Sequence, residues 1–229
     1  MNKNQQTFLA VQSTYSAIEY ALYTNENCVE KSSIPKIKAS SDLIPSLEKT
    51  LKKQSLTINE ISFIGINQGP APFTTLRVAI ATINSIAFSL NTDVIGIDGL
   101  QAIAQEYFDS QKLPTVILLN AFANDVYYAL QTSEKETSTG CCTINELLEK
   151  IVTLFPDQKI RFMGNGCIKH KEKIVEIIKN KATIEKTEIG SPSIEYLALI
   201  AAKQYHSQKE ITHQVLPLYL KKHWIQKKA

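Results

Sequence analysis

The chain has 229 residues, 44% of them hydrophobic and 21% charged, a length for one large domain or two small ones and a composition that excludes extensive disorder. Its 25 basic and 22 acidic residues leave a formal net charge of +3, too near balance for a protein that binds nucleic acid over its whole surface.

Residues 8–12 and 16–23 read as strands, and Asn25-Glu26-Asn27 ahead of Val29 as a turn, so a hairpin or meander opens the chain. Ser41 and Asp42 then offer N-cap chemistry to a helix in which Leu43, Leu47 and Leu51 recur at helical spacing up to Lys52-Lys53. A strand over 61–66 runs into the turn-rich Asn67-Gln68-Gly69-Pro70. From 73 to 90 no proline or glycine interrupts the chain; Leu76, Ile80, Ile83, Ala87 and Leu90 repeat at three and four. Val78, Ala81, Ile86 and Phe88 make the rest of that helix apolar, so it is expected to be covered on more than one side. A strand over 94–97 and a helix over 100–108 follow.

Lys112-Leu113-Pro114 marks a boundary between lobes at 1–110 and 111–229. Beyond it, strands over 115–120 and 126–131 flank the turn Ala123-Asn124-Asp125. Thr143 or Asn145 caps a helix reaching 154, and a strand over 159–163 enters Gly164-Asn165-Gly166. A helix over 171–179, a strand over 183–187 and a helix over 193–205, opened by Ser191-Pro192-Ser193, complete the lobe. The chain ends in a basic run, Lys221-Lys222-His223-Trp224-Ile225-Gln226-Lys227-Lys228. It is read either as a solvated terminus or as a tail that touches nucleic-acid phosphates, with Trp224 stacking. Two α/β lobes with similar strand-then-helix order imply a split-domain nucleotide-binding architecture.

Residues 1–7 lack the apolar core of a signal peptide. Uninterrupted apolar stretches such as 116–119 fall far below the roughly 18 residues of a membrane span. Cys28, Cys141, Cys142 and Cys167 form no CxxC pair and read as reduced thiols, so a soluble cytoplasmic protein without a membrane partner is expected. His170, His206, His213 and His223 contain no i,i+4 pair and do not assemble a zinc site. No Gly-x-Ser-x-Gly elbow or Cys–His–Asn set supports hydrolysis, and no metal or catalytic residue is assigned.

The segment Gly69-Pro70-Ala71-Pro72-Phe73-Thr74-Thr75-Leu76-Arg77 lies between a strand and a helix. Amides at a helix N-terminus and the Thr74 and Thr75 hydroxyls suit a phosphate or carboxylate. The same residues also serve simply to stop a strand, with Thr74 as helix cap, and Pro72 removes one amide from any cradle.

Gly69-Pro70-x-x-Phe73-Thr74-x-x-Arg77, followed by an apolar helix and Val94-Ile95-Gly96-Ile97-Asp98-Gly99-Leu100, resembles the TsaB/YeaZ family. Residues 8–14, Leu43-Ile44-Pro45, Val126-Tyr127-Tyr128-Ala129, Gly164-Asn165-Gly166 and Pro217-Leu218-Tyr219-Leu220 match family segments in order. The resemblance implies a two-lobed α/β fold of the actin-like ATPase type (ASKHA, RNase H-like), reduced and without large insertions. It also implies a non-catalytic subunit that dimerises with TsaD and supports threonylcarbamoyl transfer to adenosine 37 of tRNA. Expected partners are a TsaD-like protein, a TsaE-like ATPase, a second copy when TsaD is absent, and tRNA through the complex. No tightly bound cofactor is expected, with ATP or ADP met only in the complex. The chain departs from the family pattern at Gln12 (usually Asp), Ala39 (His), Ala71 and Thr75 (glycines), Pro72 (Ser) and Asn120-Ala121-Phe122 (Asp-Ala-Arg). Such losses suit a pseudo-enzyme acting through its surface.

The helices over 43–53 and 73–90, packed side by side, predict a four-helix seam with a partner through Leu43, Leu47, Leu51, Leu76, Ile80, Ile83 and Ala87. The alternative is that the second lobe of the same chain covers the extra apolar face. A second functional reading, an ATPase or kinase-like enzyme, places phosphates against Ser13, Thr14, Gly69, Pro70, Phe73, Thr74 and Arg77.

Overall fold

A computed structural model describes residues 6–108, 113–134 and 136–221. The chain forms two compact units, Met1–Ala102 with Ser191–Leu218, and Ile103–Gly190 with Tyr219–Ala229. In the first, β1 (Thr7–Ser13), β2 (Ala17–Thr24) and β3 (Asn27–Pro35) form an antiparallel meander. After α1 (Ala39–Lys53), strand β4 (Ile61–Asn67) returns parallel to β1. Then α2 (Phe73–Leu90) leads to β5 (Asp93–Ile97), parallel to β4. Helix α3 (Gly99–Glu106) crosses the division between the units.

The second unit repeats this path. Strands β6 (Thr115–Asn120), β7 (Asp125–Ser133) and β8 (Glu136–Thr143) are an antiparallel meander, followed by α4 (Ile144–Leu154). Strand β9 (Ile160–Met163) returns parallel to β6. Helices α5 (Asn165–Lys169) and α6 (Lys171–Ile178) then precede β10 (Ala182–Ile184), parallel to β9. Helix α7 (Ile194–His206) and the short β11 (Ile211–Thr212) complete the described elements. The sheet orders are β11-β5-β4-β1-β2-β3 and β10-β9-β6-β7-β8, so β-β-β-α-β-α-β occurs twice.

Period-two alternation gives the first sheet two buried faces. Leu9, Val11, Ile64, Ile66 and Val94 join the cluster under α1 and α2. Phe8, Ala10, Phe63, Ile95 and Ile97 join Ile194, Leu197, Ala198 and Ala201 of α7 on the other face. The sequence-based division at 110/111 assigns α7 to the second lobe; the structure returns it to the first. Gly65 explains the fit, because a Cβ there would lie 2.3 Å from Ala201 Cβ, so only glycine admits the helix this close. In the second sheet, Val116, Leu118, Val126 and Phe162 pack with Leu147, Leu148 and Ile151 of α4 and Ile174 of α6.

Several local expectations shift. The N-cap of α1 is Lys38, after a 3-10 turn over Lys36–Lys38, so Ser41 and Asp42 lie inside the first turn instead of capping it. Thr143 is the cap of α4: its hydroxyl accepts from Glu146 N at 3.3 Å, while the Glu146 carboxylate accepts from Thr143 N at 3.0 Å. Strand β8 has no apolar alternation to announce it, and forms because β7 offers it a ladder. The boundary at Lys112 and the tail beyond Lys221 lie outside the described residues.

Candidate interaction site

The seven residues assigned to the seam are interior. Leu43, Leu47 and Leu51 of α1 and Leu76, Ile80, Ile83 and Ala87 of α2 are all at most 4% exposed, packed on the first sheet. An i, i+3, i+4 stripe names the face that the chain's own core takes first. The outward positions are different residues. On α1 they include Ile44, 59% exposed; on α2 they include the stripe Arg77, Ala81, Ser85 and Phe88, the last 87% exposed. Arg77 and Ser85 on the same stripe as Phe88 were the sequence signal for that face. Ile44, Leu47, Leu51, Leu56, Ile58 and Ile86 line a groove of about 430 Å³ between the helices, with Glu48 and Lys52 on its rim. Leu47 and Leu51 therefore form its floor. Helix α2 has a mean hydropathy of 1.4 over 18 residues, apolar and long enough to cross a membrane by composition, yet six of its residues are buried against the unit's own core.

The residues considered for phosphate binding gather at one end of the first sheet, because β1 and β4 run parallel and in register from Phe8↔Phe63 to Val11↔Ile66. Most of their polar groups are already used. Thr14 Oγ1 accepts from Ala17 N at 3.1 Å and donates to Ala17 O at 3.2 Å, closing the β1–β2 turn. Gly69 N donates to Asn67 Oδ1 and Gly69 O accepts from Gly99 N, both at 2.8 Å; the Gly69–Pro70 peptide is cis. Gln68 O accepts from Leu218 N at 2.8 Å and Gln68 Nε2 donates to Leu216 O at 2.8 Å, so the loop seats the chain's later segment. The N-cap of α2 is Pro72 and no side chain caps it, which corrects the role given to Thr74. Thr74 and Phe73 are exposed, and the Arg77 guanidinium lies 5.0 Å from the Phe73 ring.

Gln12 is buried, and its amide Nε2 donates to Glu19 Oε2 at 2.9 Å and to Pro192 O at 3.0 Å. An aspartate here would oppose a second carboxylate and a carbonyl with no proton to share, so the amide fits this site and a carboxylate does not. Gln12 Oε1 and Ser13 Oγ are buried without a hydrogen-bond partner among the described residues.

Titratable groups do not converge elsewhere. Among the described residues no group of three or more His, Cys, Asp or Glu is placed to hold a metal. His213 Nδ1 lies 3.8 Å from Asp93 Oδ1, an exposed contact at the sheet edge. Burial pushes the Cys142 thiol up to about 11 and the Cys167 thiol up to about 12, the opposite of an activated nucleophile. Asp98 is raised by burial, against backbone hydrogen bonds from Gln101 and Leu100 that hold it at the start of α3.

A twice-repeated β-β-β-α-β-α-β path in two units defines the chain as a member of the actin-like ATPase superfold in reduced form. Within that superfold the chain belongs to the family described as TsaD, tRNA N6-adenosine threonylcarbamoyltransferase, whose model matches residues 34–228. Its relatives there are TsaB/YeaZ proteins. The chain is 27% identical to the tRNA threonylcarbamoyladenosine biosynthesis protein TsaB of Buchnera aphidicola subsp. Baizongia pistaciae over 187 residues, covering 78% of this chain and 81% of the relative. It is 21% identical to TsaB of Bacillus subtilis (strain 168), covering 94% of each. The fold matches YeaZ from Pseudomonas aeruginosa with a TM-score of 0.70 at 21% identity, covering 94% of this chain and 100% of that one.

Proposed function

We propose that this chain acts in the biosynthesis of tRNA threonylcarbamoyladenosine as a non-catalytic subunit. It pairs with a TsaD-like protein that carries out threonylcarbamoyl transfer to adenosine 37. Family membership and relatives named TsaB support the pathway. The observation that carries the mode of action is the exposed apolar surface of α1 and α2: Ile44 borders an apolar groove of about 430 Å³, and Phe88 is 87% exposed on α2. A helix pair whose buried stripe is already satisfied by its own sheet, and which still presents large apolar side chains, is built to receive a second pair. The seam thus moves from the interior residues to Ile44, Phe88 and the groove, with Leu47 and Leu51 as its floor. Without the TsaD-like partner the same face pairs two copies of the chain about a two-fold axis, and a TsaE-like ATPase joins the assembled pair. Transfer RNA is met in the complex, in the cytoplasm, and ATP or ADP likewise only there.

The test is co-purification. Ile44→Glu with Phe88→Glu should abolish recovery of the TsaD-like partner and leave the thermal melt of the isolated chain unchanged, since both side chains are solvent-exposed. A double variant that still recovers the partner sinks this seam. Calorimetry with Mg-ATP on the isolated chain addresses the ATPase or kinase-like reading: micromolar binding with turnover would replace the proposal.

A further inference from the structure

The turn between β6 and β7 places two consecutive non-glycine residues at positive φ. Phe122 (φ 64) and Ala123 (φ 51) lie in the left-handed region, where a bulky side chain is an outlier. The turn is held from both sides. Asp125 N donates to Phe122 O and Ala121 N to Asp125 O, each at 3.1 Å, and Phe122 N donates to Asn120 Oδ1 at 3.1 Å. Lys169 Nζ, at the end of α5, donates to Ala123 O at 2.6 Å and to Asn120 Oδ1 at 3.2 Å. Lys221 Nζ donates to Ala121 O at 3.2 Å and pairs with Asp125 Oδ2 at 2.7 Å. This scaffold leaves most of Phe122 in solvent: it is 60% exposed.

The charges decide what such a ring meets. Lys221 is balanced by Asp125, whereas Lys169 meets no carboxylate among the described residues. An ammonium has three donors, so one N–H of Lys169 remains for an outside acceptor. Residues 169–173 carry three lysines against one glutamate. A protein hot spot would surround the aromatic with apolar neighbours, but Ala123 and Asn124 beside it are exposed and small or polar. An exposed ring on a turn whose backbone is held, with a cation bound to that same turn, is the pairing that single-stranded nucleic acid uses, a base on the ring and its phosphate on the cation.

We propose that this turn is a direct RNA contact, with Phe122 stacking on an unpaired base and Lys169 holding the adjoining phosphate. The proposal rests on the tRNA reading above and adds to it a site in the second unit, distinct from the α1–α2 face. The test is fluorescence anisotropy with a labelled, unmodified tRNA anticodon stem-loop, using the full chain alone and bound to its TsaD-like partner. Phe122→Ala should weaken binding about 5- to 150-fold, the loss of one base–aromatic stack, and Phe122→Trp should restore it. Lys169→Ala should lower the slope of log affinity against log salt by about 0.7. Phe122→Gly should lose binding equally while melting at or above the wild-type temperature, because glycine relieves the left-handed strain. The proposal is overturned if wild type does not bind the stem-loop in either form, if Phe122→Ala binds as wild type does, or if Phe122→Gly melts lower. Co-purification with the TsaD-like partner, scored in parallel, separates the two proposals: its loss in Ile44→Glu/Phe88→Glu with RNA binding intact concerns the seam alone, and the reverse concerns Phe122 alone.

Discussion

The two units run the same strand path and spend their sequence differently. The helix after β4 is one unbroken element of 18 residues, α2, whereas its counterpart after β9 is split into α5 and α6 at His170. The first helix of the first unit, α1, has no side-chain cap, while its counterpart α4 has a complete capping box. The turn after β1 closes on its own Thr14 hydroxyl, but the turn after β6 leans on two lysines from elsewhere in the chain. Topology is therefore not what assigns roles. One unit has a single long helix with Phe88 exposed on a mixed polar and apolar outer face, and the other keeps short helices and places an aromatic ring on a corner at positive φ.

The largest effect should separate α2 from α6. Ile83 is fully buried, so Ile83→Glu places an uncompensated charge in the core of the first unit and should cost more than about 4 kcal/mol. Val175→Glu on the exposed side of α6 should stay within about 0.5 kcal/mol. Urea unfolding and soluble yield measure both; an Ile83→Glu chain as stable as wild type would show that α2 is not a core helix. The next contrast lies in the loops that end β4 and β9, each with a glycine at positive φ. A Cβ on Gly164 (φ +102) would lie 2.3 Å from Leu118 O, a backbone atom that cannot yield. A Cβ on Gly69 (φ +113) meets first the Leu76 side chain at 3.1 Å, which can. Gly164→Ala should therefore cost about 3 kcal/mol and Gly69→Ala roughly half that, read from denaturant midpoints. Equal costs would mean that the close approach to Leu118 relaxes.

The caps predict a smaller difference. Thr143→Ala removes the acceptor for Glu146 N and should cost about 1 kcal/mol. Ser41→Ala should change stability by less than about 0.5 kcal/mol, because Ser41 Oγ donates to Lys38 O and Asp42 Oδ1 and caps nothing. A Ser41 effect as large as that of Thr143 would restore the cap that the sequence suggested.

How much of this was legible follows from what each signal encodes. The span of α2 was readable to the residue, since Pro72 and Asn91 bound a run that no proline or glycine interrupts. Its outward face was misassigned because periodicity names the buried stripe, and a stripe does not say whether a sheet or a partner buries it. The return of α7 to the first unit depends on Gly65 meeting Ala201, a contact 136 positions apart in sequence that no local pattern announces. Strand β8 was missed because Glu136–Thr143 gains its ladder from β7 and has little apolar content of its own. Phe122 stood in plain view as a departure from a family pattern, but its exposure and left-handed φ are properties of the fold.

The break between α5 and α6 carries the smallest expected effect and gives it a sign. His170 is 8% exposed and its Nε2 has no hydrogen-bond partner among the described residues. Burial, then the charges of Lys169 and Lys173, lower its pKa from the ordinary 6.5, so the folded state keeps the ring neutral. Above pH 6.5 both folded and unfolded chains hold it neutral and stability is unaffected. As pH falls below 6.5 the unfolded chain binds a proton that the folded one resists, so stability declines until the lowered pKa is reached. The second unit should therefore unfold at a lower urea concentration near pH 5.5 than near pH 7.5 (both about). His170→Gln should narrow that gap, because carboxylate contributions are common to both chains and only the imidazole differs. If the gap is unchanged, His170 is solvated in the folded protein, and the break in the helix is a feature of packing without a proton-linked cost.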